Sequence, residues 1–335
     1  MAQATNTFDA YDSVGIREEL SNMIALYSRT ETPVLTLAGE DNKRAGNATV
    51  EWQKDALPAA SDKKAVEGDV FSGDSLTATS RLKNYCQIVR ADLVISGRAD
   101  VLNTAGRRTE TGYQIRKNGR WLKNCMENTV TKRKIGKVGN STTAPELAGI
   151  PAWVVGNQDG GTAPTLTSGT PSNAGTAATS RVLSWAKVVD AEKDAFEDGG
   201  RPDFMPLPPS TIGVVVAFLF GSSSPYAAAR NNLSTRERTV KMIGHVTAVT
   251  LPLQSSIDLV PDVHMDSGAQ SNVMLLDHRR LKVCFLPGRR YAVMNQGKNG
   301  DAERKVLLSD FTLKLSDPES HAVVNGIDDD GTVTA

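Results

Sequence analysis

The chain has 335 residues, with 38 basic and 38 acidic side chains, so its formal net charge is zero. That length can bury one large core or two smaller ones. A neutral total gives no reason to expect attraction of the whole protein to a polyanion or a membrane surface. Between residues 107 and 137, however, ten Lys/Arg stand against two acids, Glu110 and Glu127. Charge gathered on one element implies a partner for that element.

Residues 1–15 lack the basic start and apolar core of a signal peptide. An arm is expected at 1–11, followed by a helix capped by Asp12 or Ser13. Ile16, Leu20, Met23, Ile24 and Tyr27 recur at helical spacing on one face of it. Pro33 ends that pattern, and residues 30–33 read as an extended connection. Residues 49–53 alternate as a strand does. The stretch from 57 to 69 is polar and mixed in charge, and a second extended run resumes near Leu76. Such a long two-stranded arm is marginal in water by itself and needs a surface to lie on.

Residues 84–96 read as a strand. In the basic segment, Ile115, Gly119, Leu122, Met126 and Thr129 form a helical stripe, with Arg116, Lys117, Arg120 and Lys123 facing away from it. Gly112 and Gly119 each weaken a helix by about 1 kcal/mol, so packing must hold this one. Residues 157–180 are rich in Gly, Ser, Thr, Ala and Asn and read as a flexible surface loop. A helix beginning near Val182 is expected to end at Gly199-Gly200. A short strand at 202–208 leads into a buried helix at 210–220. That helix holds the longest apolar run, residues 212–220, which is shorter than the ~20 residues that span a bilayer. Strands are expected at 244–251, 272–276, 281–286, 290–294 and 306–315, before an acidic tail.

No phosphate loop, dinucleotide fingerprint, zinc-protease or nucleophile-elbow motif is present. Asp262, His264 and Asp266 would share one face of a strand and could hold a metal, but a polar turn after Pro261 accounts for them better. Cys86, Cys125 and Cys284 have no ligand or disulfide spacing and read as small buried apolar residues of a reducing compartment. No catalytic, metal or cofactor site is expected.

Several stretches together resemble a tailed-phage major capsid family. They include Arg17-Glu18-Glu19-Leu20-Ser21, Ser28-x-Thr30-Glu31-Thr32-Pro33, Glu51-Trp52-Gln53-x-Asp55-x-Leu57 and Glu67-Gly68-Asp69. Further along are Thr79-x-Arg81-Leu82-x-Asn84-Tyr85-Cys86-Gln87-Ile88, Ser96-Gly97 and Ala105-Gly106-Arg107. Glu146-Leu147-Ala148-Gly149-Ile150 and Gly199-Gly200-x-Pro202-Asp203 complete the set. The order of parts resembles the Hong Kong 97-type capsid fold, of class α+β.

The resemblance implies an N-terminal arm with a short helix (1–44) and an E-loop, the extended hairpin of that fold (45–80). A P-domain (81–150) would carry a spine helix at about 101–135. An A-domain (151–288) would include the flexible loop 157–180, and return strands with the tail would occupy 289–335. It also implies a non-enzymatic shell protein that assembles as hexamers and pentamers around double-stranded DNA in the host cytoplasm. A separate scaffolding protein, a portal and a decoration protein would be its partners, and no membrane is involved. The arm contacts would fall on Trp52, Leu57, Lys63, Lys64, Ile16, Leu20, Met23 and Tyr27. Inner-surface basic contacts would fall on Arg107, Arg108, Arg116, Lys117, Arg120 and Lys123. An encapsulin-like compartment shell and an enzyme with an unrecognised site are the competing readings. Nucleic acid inside the particles separates the first from the capsid, and a lasting monomer with a saturable ligand would mark the second.

Overall fold

The computed structural model describes residues 24–327, apart from 27, 30, 42–44, 69, 71–72, 74–75, 103, 180, 216–247, 250, 254–255, 267–270 and 299. The helices are α1 (Pro33–Ala38), α2 (Gly97–Val101), α3 (Glu110–Thr131), α4 (Ile150–Trp153) and α5 (Trp185–Glu197). The strands are β1 (Thr49–Lys54), β2 (Ser80–Tyr85), β3 (Gln87–Ser96), β4 (Gln158–Asp159), β5 (Thr165–Thr167), β6 (Thr170–Asn173), β7 (Phe204–Leu207), β8 (Ala248–Val249), β9 (Ile257–Pro261), β10 (Asn272–Leu275), β11 (Leu281–Phe285), β12 (Ala292–Gln296), β13 (Ala302–Leu315) and β14 (Ala322–Asn325).

The 14-residue β13 organises one half of the molecule. It pairs antiparallel with β3 from Ala302↔Ser96 to Phe311↔Gln87. Its other edge takes β12 and then β11, so β11–β12 and β13 form one long, interrupted hairpin. The helix α3, about 33 Å long at 1.5 Å per residue, lies across β3 and β13. Ile115 and Leu122 pack there against Val89, Ala91, Leu93 and Leu307. Thr109 caps its start with a side-chain oxygen that accepts the Gly112 N–H. The stripe read from sequence holds at Ile115, Leu122 and Met126. At its end Val130 is buried and Thr129 only half-buried. The helix is shorter than the 101–135 expected, because α2 is a separate turn.

The other half has strands buried on both faces. β7, β10 and β14 carry the sequences FMPL, NVML and AVVN, and every residue in them is buried. Phe204, Met274, Leu276 and Val323 face a core shared with α3, α4 and β13. Met205, Leu207, Val273, Leu275 and Val324 face a second core closed by α5. Near-continuous apolar runs are what two-sided burial requires.

Three expectations need correction. Pro33 starts α1 rather than simply ending a helix. Proline suits the first helical position, where its missing N–H is no loss. α1 has no side-chain cap of its own; the buried Glu127 on α3 supplies one, accepting the N–H groups of Val34 (2.7 Å) and Leu35 (2.9 Å). The segment 157–180 is not a loose loop, because its described residues contain β4 and the β5–β6 hairpin. The short strands β9 and β14 escaped the sequence reading, since runs of four or five residues flanked by Pro, Gly or Asp carry little periodic signal. The expected buried helix begins as read, with Thr211, Val214 and Val215 buried, but 216–220 lie outside the described residues. The 13–27 helix pattern also falls mostly outside them, and its described members 24–26 are not helical.

Candidate functional site and assembly surfaces

The extended arm is two-stranded only at its base. β1 pairs with β2 from Thr49↔Tyr85 to Lys54↔Ser80, so the return strand starts later than Leu76. Lys54 ends β1 and is tied to Asp317 (3.3 Å) and Glu319 (2.5 Å). The β5–β6 hairpin grips the other side. Its turn places Ser168 and Gly169 at φ 52° and 77°, and the Gly169 carbonyl accepts the Lys83 N–H at 2.7 Å. A Cβ on Gly169 would stand 2.0 Å from the Arg81 carbonyl oxygen, so only glycine fits. The low-complexity composition of this segment is thus the chemistry of a tight, closely packed hairpin.

Trp52 is not an exposed anchor. It is 8% exposed and packs in its own subunit's core, with its ring centroid 5.4 Å from that of Trp153. The reason is the register: Trp52 stands opposite Leu82 on the face of the hairpin base that covers α4. Beyond the base the described residues of 55–79 form no strand or helix and are all exposed. Leu57 is 95% exposed and Leu76 93%, with Val66 and Val70 little less open. Lys64 pairs with Asp62 at 2.5 Å, an exposed contact, and Lys63 is also exposed. Ile16, Leu20, Met23 and Tyr27 lie outside the described residues.

The basic segment divides. Arg108, Arg116, Lys117 and Arg120 are exposed. Arg107 instead pairs with Glu110 (2.6 Å) and stacks over Tyr113, 5.3 Å from its ring centroid. Lys123, expected to face outward, is half-buried and reaches the Thr36 hydroxyl of α1 at 3.5 Å. Arg133 turns inward to Gln158, the Ala174 carbonyl and Asn325. Lys134 donates to Gln87 at 2.7 Å, and burial lowers its pKa to about 8. Trp121 was missed by the sequence reading. It is 53% exposed and gives the basic face of α3 an open aromatic side chain. Its position one residue before the buried Leu122 was the available signal.

Asp262, His264 and Asp266 do not converge as a metal set. Among the described residues one group does, Asp203, Asp277 and His278. Its carboxylates are already engaged: Asp277 holds Arg279 through two contacts of 2.9 Å, and Asp203 holds the His278 ring. Burial pushes the Cys86 and Cys284 thiols up to about 12, which leaves them inert packing groups. No helix among the described residues is long and apolar enough to cross a membrane.

The described residues thus lay a long helix on an antiparallel sheet, beside a second set of strands buried on both faces and the exposed 55–79 segment. A family model described as SU10 major capsid protein matches residues 2–328. The chain belongs to the SU10 major capsid protein family. It is a structural component of a phage capsid and not an enzyme. The major capsid protein of Escherichia phage Phieco32 is 28% identical over 152 residues, covering 43% of this chain and 42% of that protein. The match therefore spans less than half the length of that relative. Among solved structures, the Cyanophage A-1(L) capsid asymmetric unit superposes with a TM-score of 0.63 at 12% identity, covering 97% of this chain and 99% of that one. The holo-SrpI encapsulin complex from Synechococcus elongatus PCC 7942 gives 0.51 at 12% identity, with 86% and 85% covered. The Hong Kong 97-type capsid fold inferred from sequence is the observed fold.

Proposed function

We propose that this capsid subunit assembles as hexamers and pentamers into a closed icosahedral shell around double-stranded DNA, with the 55–79 arm lying on a neighbouring copy. The observation that carries this reading is the arm itself. Its described residues include the exposed branched apolar side chains Leu57, Val66 and Leu76, at 95%, 78% and 93% exposure. Burying such side chains is worth about 1.5–3 kcal/mol each, and repetition over every subunit would make the shell cooperative. Lys63 and Lys64 at the tip would meet acids of the neighbour. Ile16, Leu20, Met23 and Tyr27 would supply the apolar face of the N-terminal arm.

The exposed basic face of α3 (Arg108, Arg116, Lys117, Arg120) would contact either packaged DNA, through phosphates alone, or an acidic segment of a neighbour. The exposed Trp121 beside it favours the neighbour, because aromatic and Arg side chains dominate protein interfaces. A separate scaffolding protein, a portal and a decoration protein complete the proposed partners, with assembly in the host cytoplasm. Deleting residues 58–66 tests the arm. Subunits should stay folded by circular dichroism and form no shells by electron microscopy. Normal shells would refute its role.

A further inference from the structure

Glu127 has no exposed surface, yet it is an acid near the C-terminal end of α3. Both of its oxygens are occupied by the Val34 and Leu35 N–H groups that open α1. Asp262, immediately after β9, is 1% exposed. Its Oδ1 accepts the His264 N–H at 2.8 Å, and its Oδ2 meets no N–H or O–H donor. The Asp262 carboxyl is close enough to that of Glu127 for the two to feel each other's charge, where Asn128 of α3 ties to the His264 carbonyl at 2.7 Å. With both groups ionised, that proximity sets charge against like charge at a buried site. One proton on the pair relieves it.

Among the described residues, the surroundings offer no full substitute for that proton. α1 carries no titratable residue. From α3 the facing charge is Lys123, half-buried and directed at the Thr36 hydroxyl. From the β9 segment the facing side chain is His264, whose Nε2 is buried without a partner among the described residues. Burial first, and then the Asp262 charge, pushes Glu127 above the ordinary carboxyl range, and burial does the same to Asp262.

We propose that the Glu127–Asp262 pair is a proton-dependent latch that fastens the N-terminal arm, through α1, to the spine helix and to the segment after β9. The latched state holds a proton that the opened state releases once the pH exceeds the ordinary carboxyl value of about 4. Latching is therefore complete at low pH and weakens as pH rises towards the pKa of the pair. Linkage of one proton raises the opening constant about tenfold per pH unit in that window.

Hydrogen exchange by mass spectrometry on the full-length subunit tests this. Peptides covering residues 31–41 are followed from pH 5 to 9, with intrinsic exchange corrected at each pH. In the unmodified protein their protection should fall about tenfold per pH unit over part of that range. Asp262→Asn puts an amide N–H where Oδ2 stood, donating to Glu127, and keeps the oxygen that accepts the His264 N–H. Its protection should be flat with pH. Glu127→Ala should lose protection of these peptides at every pH, while α5, remote from the pair, stays protected. If Asp262→Asn fails to fold, Glu127→Gln carries the same expectation of a flat profile at lower protection. A flat profile in the unmodified protein would overturn the proposal, as would an unaltered slope in the folded amide variant.

Discussion

Trp52→Ala separates a core role from an interface role. Trp52 is 8% exposed and packs against Trp153, which is fully buried. Truncating a buried Trp costs about 3–5 kcal/mol in transfer and cavity terms. The tilted ring pair adds about 0.5–1.5 kcal/mol beyond its buried area. The indole N–H has no acceptor, and removing it returns about 1 kcal/mol. The two corrections nearly cancel, so the expected loss is about 4 kcal/mol of subunit stability. Urea unfolding of dissociated subunits, with fluorescence of the remaining tryptophans, measures it. A change under about 1 kcal/mol together with failed shell assembly would refute the packing argument and return Trp52 to the inter-subunit surface.

Gly169→Ala should strip the β5–β6 turn from β2. The left-handed conformation alone costs about 1–3 kcal/mol, and faster hydrogen exchange in Ser80–Tyr85 would report the detachment. His321→Asn should flatten part of the acid limb of stability. Burial lowers the His321 pKa from 6.5 to about 4 while its Nδ1 accepts the Asp277 N–H at 3.1 Å. The unfolded chain binds the extra proton between those values, so stability falls as pH drops through that window, by up to about 3 kcal/mol. Denaturant melts at a series of pH values would show the one-proton slope lost in the variant. Arg116→Glu, Lys117→Glu and Arg120→Glu together should leave subunit stability within about 0.5 kcal/mol each, yet impair assembly or DNA retention. Normal filled particles would remove the α3 face from both roles.

Much of the fold was legible because it rests on local patterning. The α3 stripe at Ile115, Leu122 and Met126, strands read at 281–286 and 306–315, and α5 with its glycine stop each announce themselves by period and punctuation, although β13 starts four residues earlier than read. The arm was legible as a polar, weakly apolar stretch that needs a surface. The sites were less so. Lys123 and Arg133 have the same side-chain chemistry as the exposed Arg116 and Lys117, and only the course of neighbouring segments turns them inward.

The sequence by itself determined the class, the order of parts and the kinship to a capsid family, because periodicity and short residue runs survive without coordinates. Tertiary structure alone decided which faces are free. Trp52 went to the core because its register opposes Leu82 above α4. The Gly/Ser/Thr segment became a hairpin because β2 offers it a backbone N–H at close range. Glu127 and Asp262 face each other because a helix and a strand end 135 residues apart in sequence pack together. Burial and pairing are properties of distant segments brought together, and no local pattern encodes them.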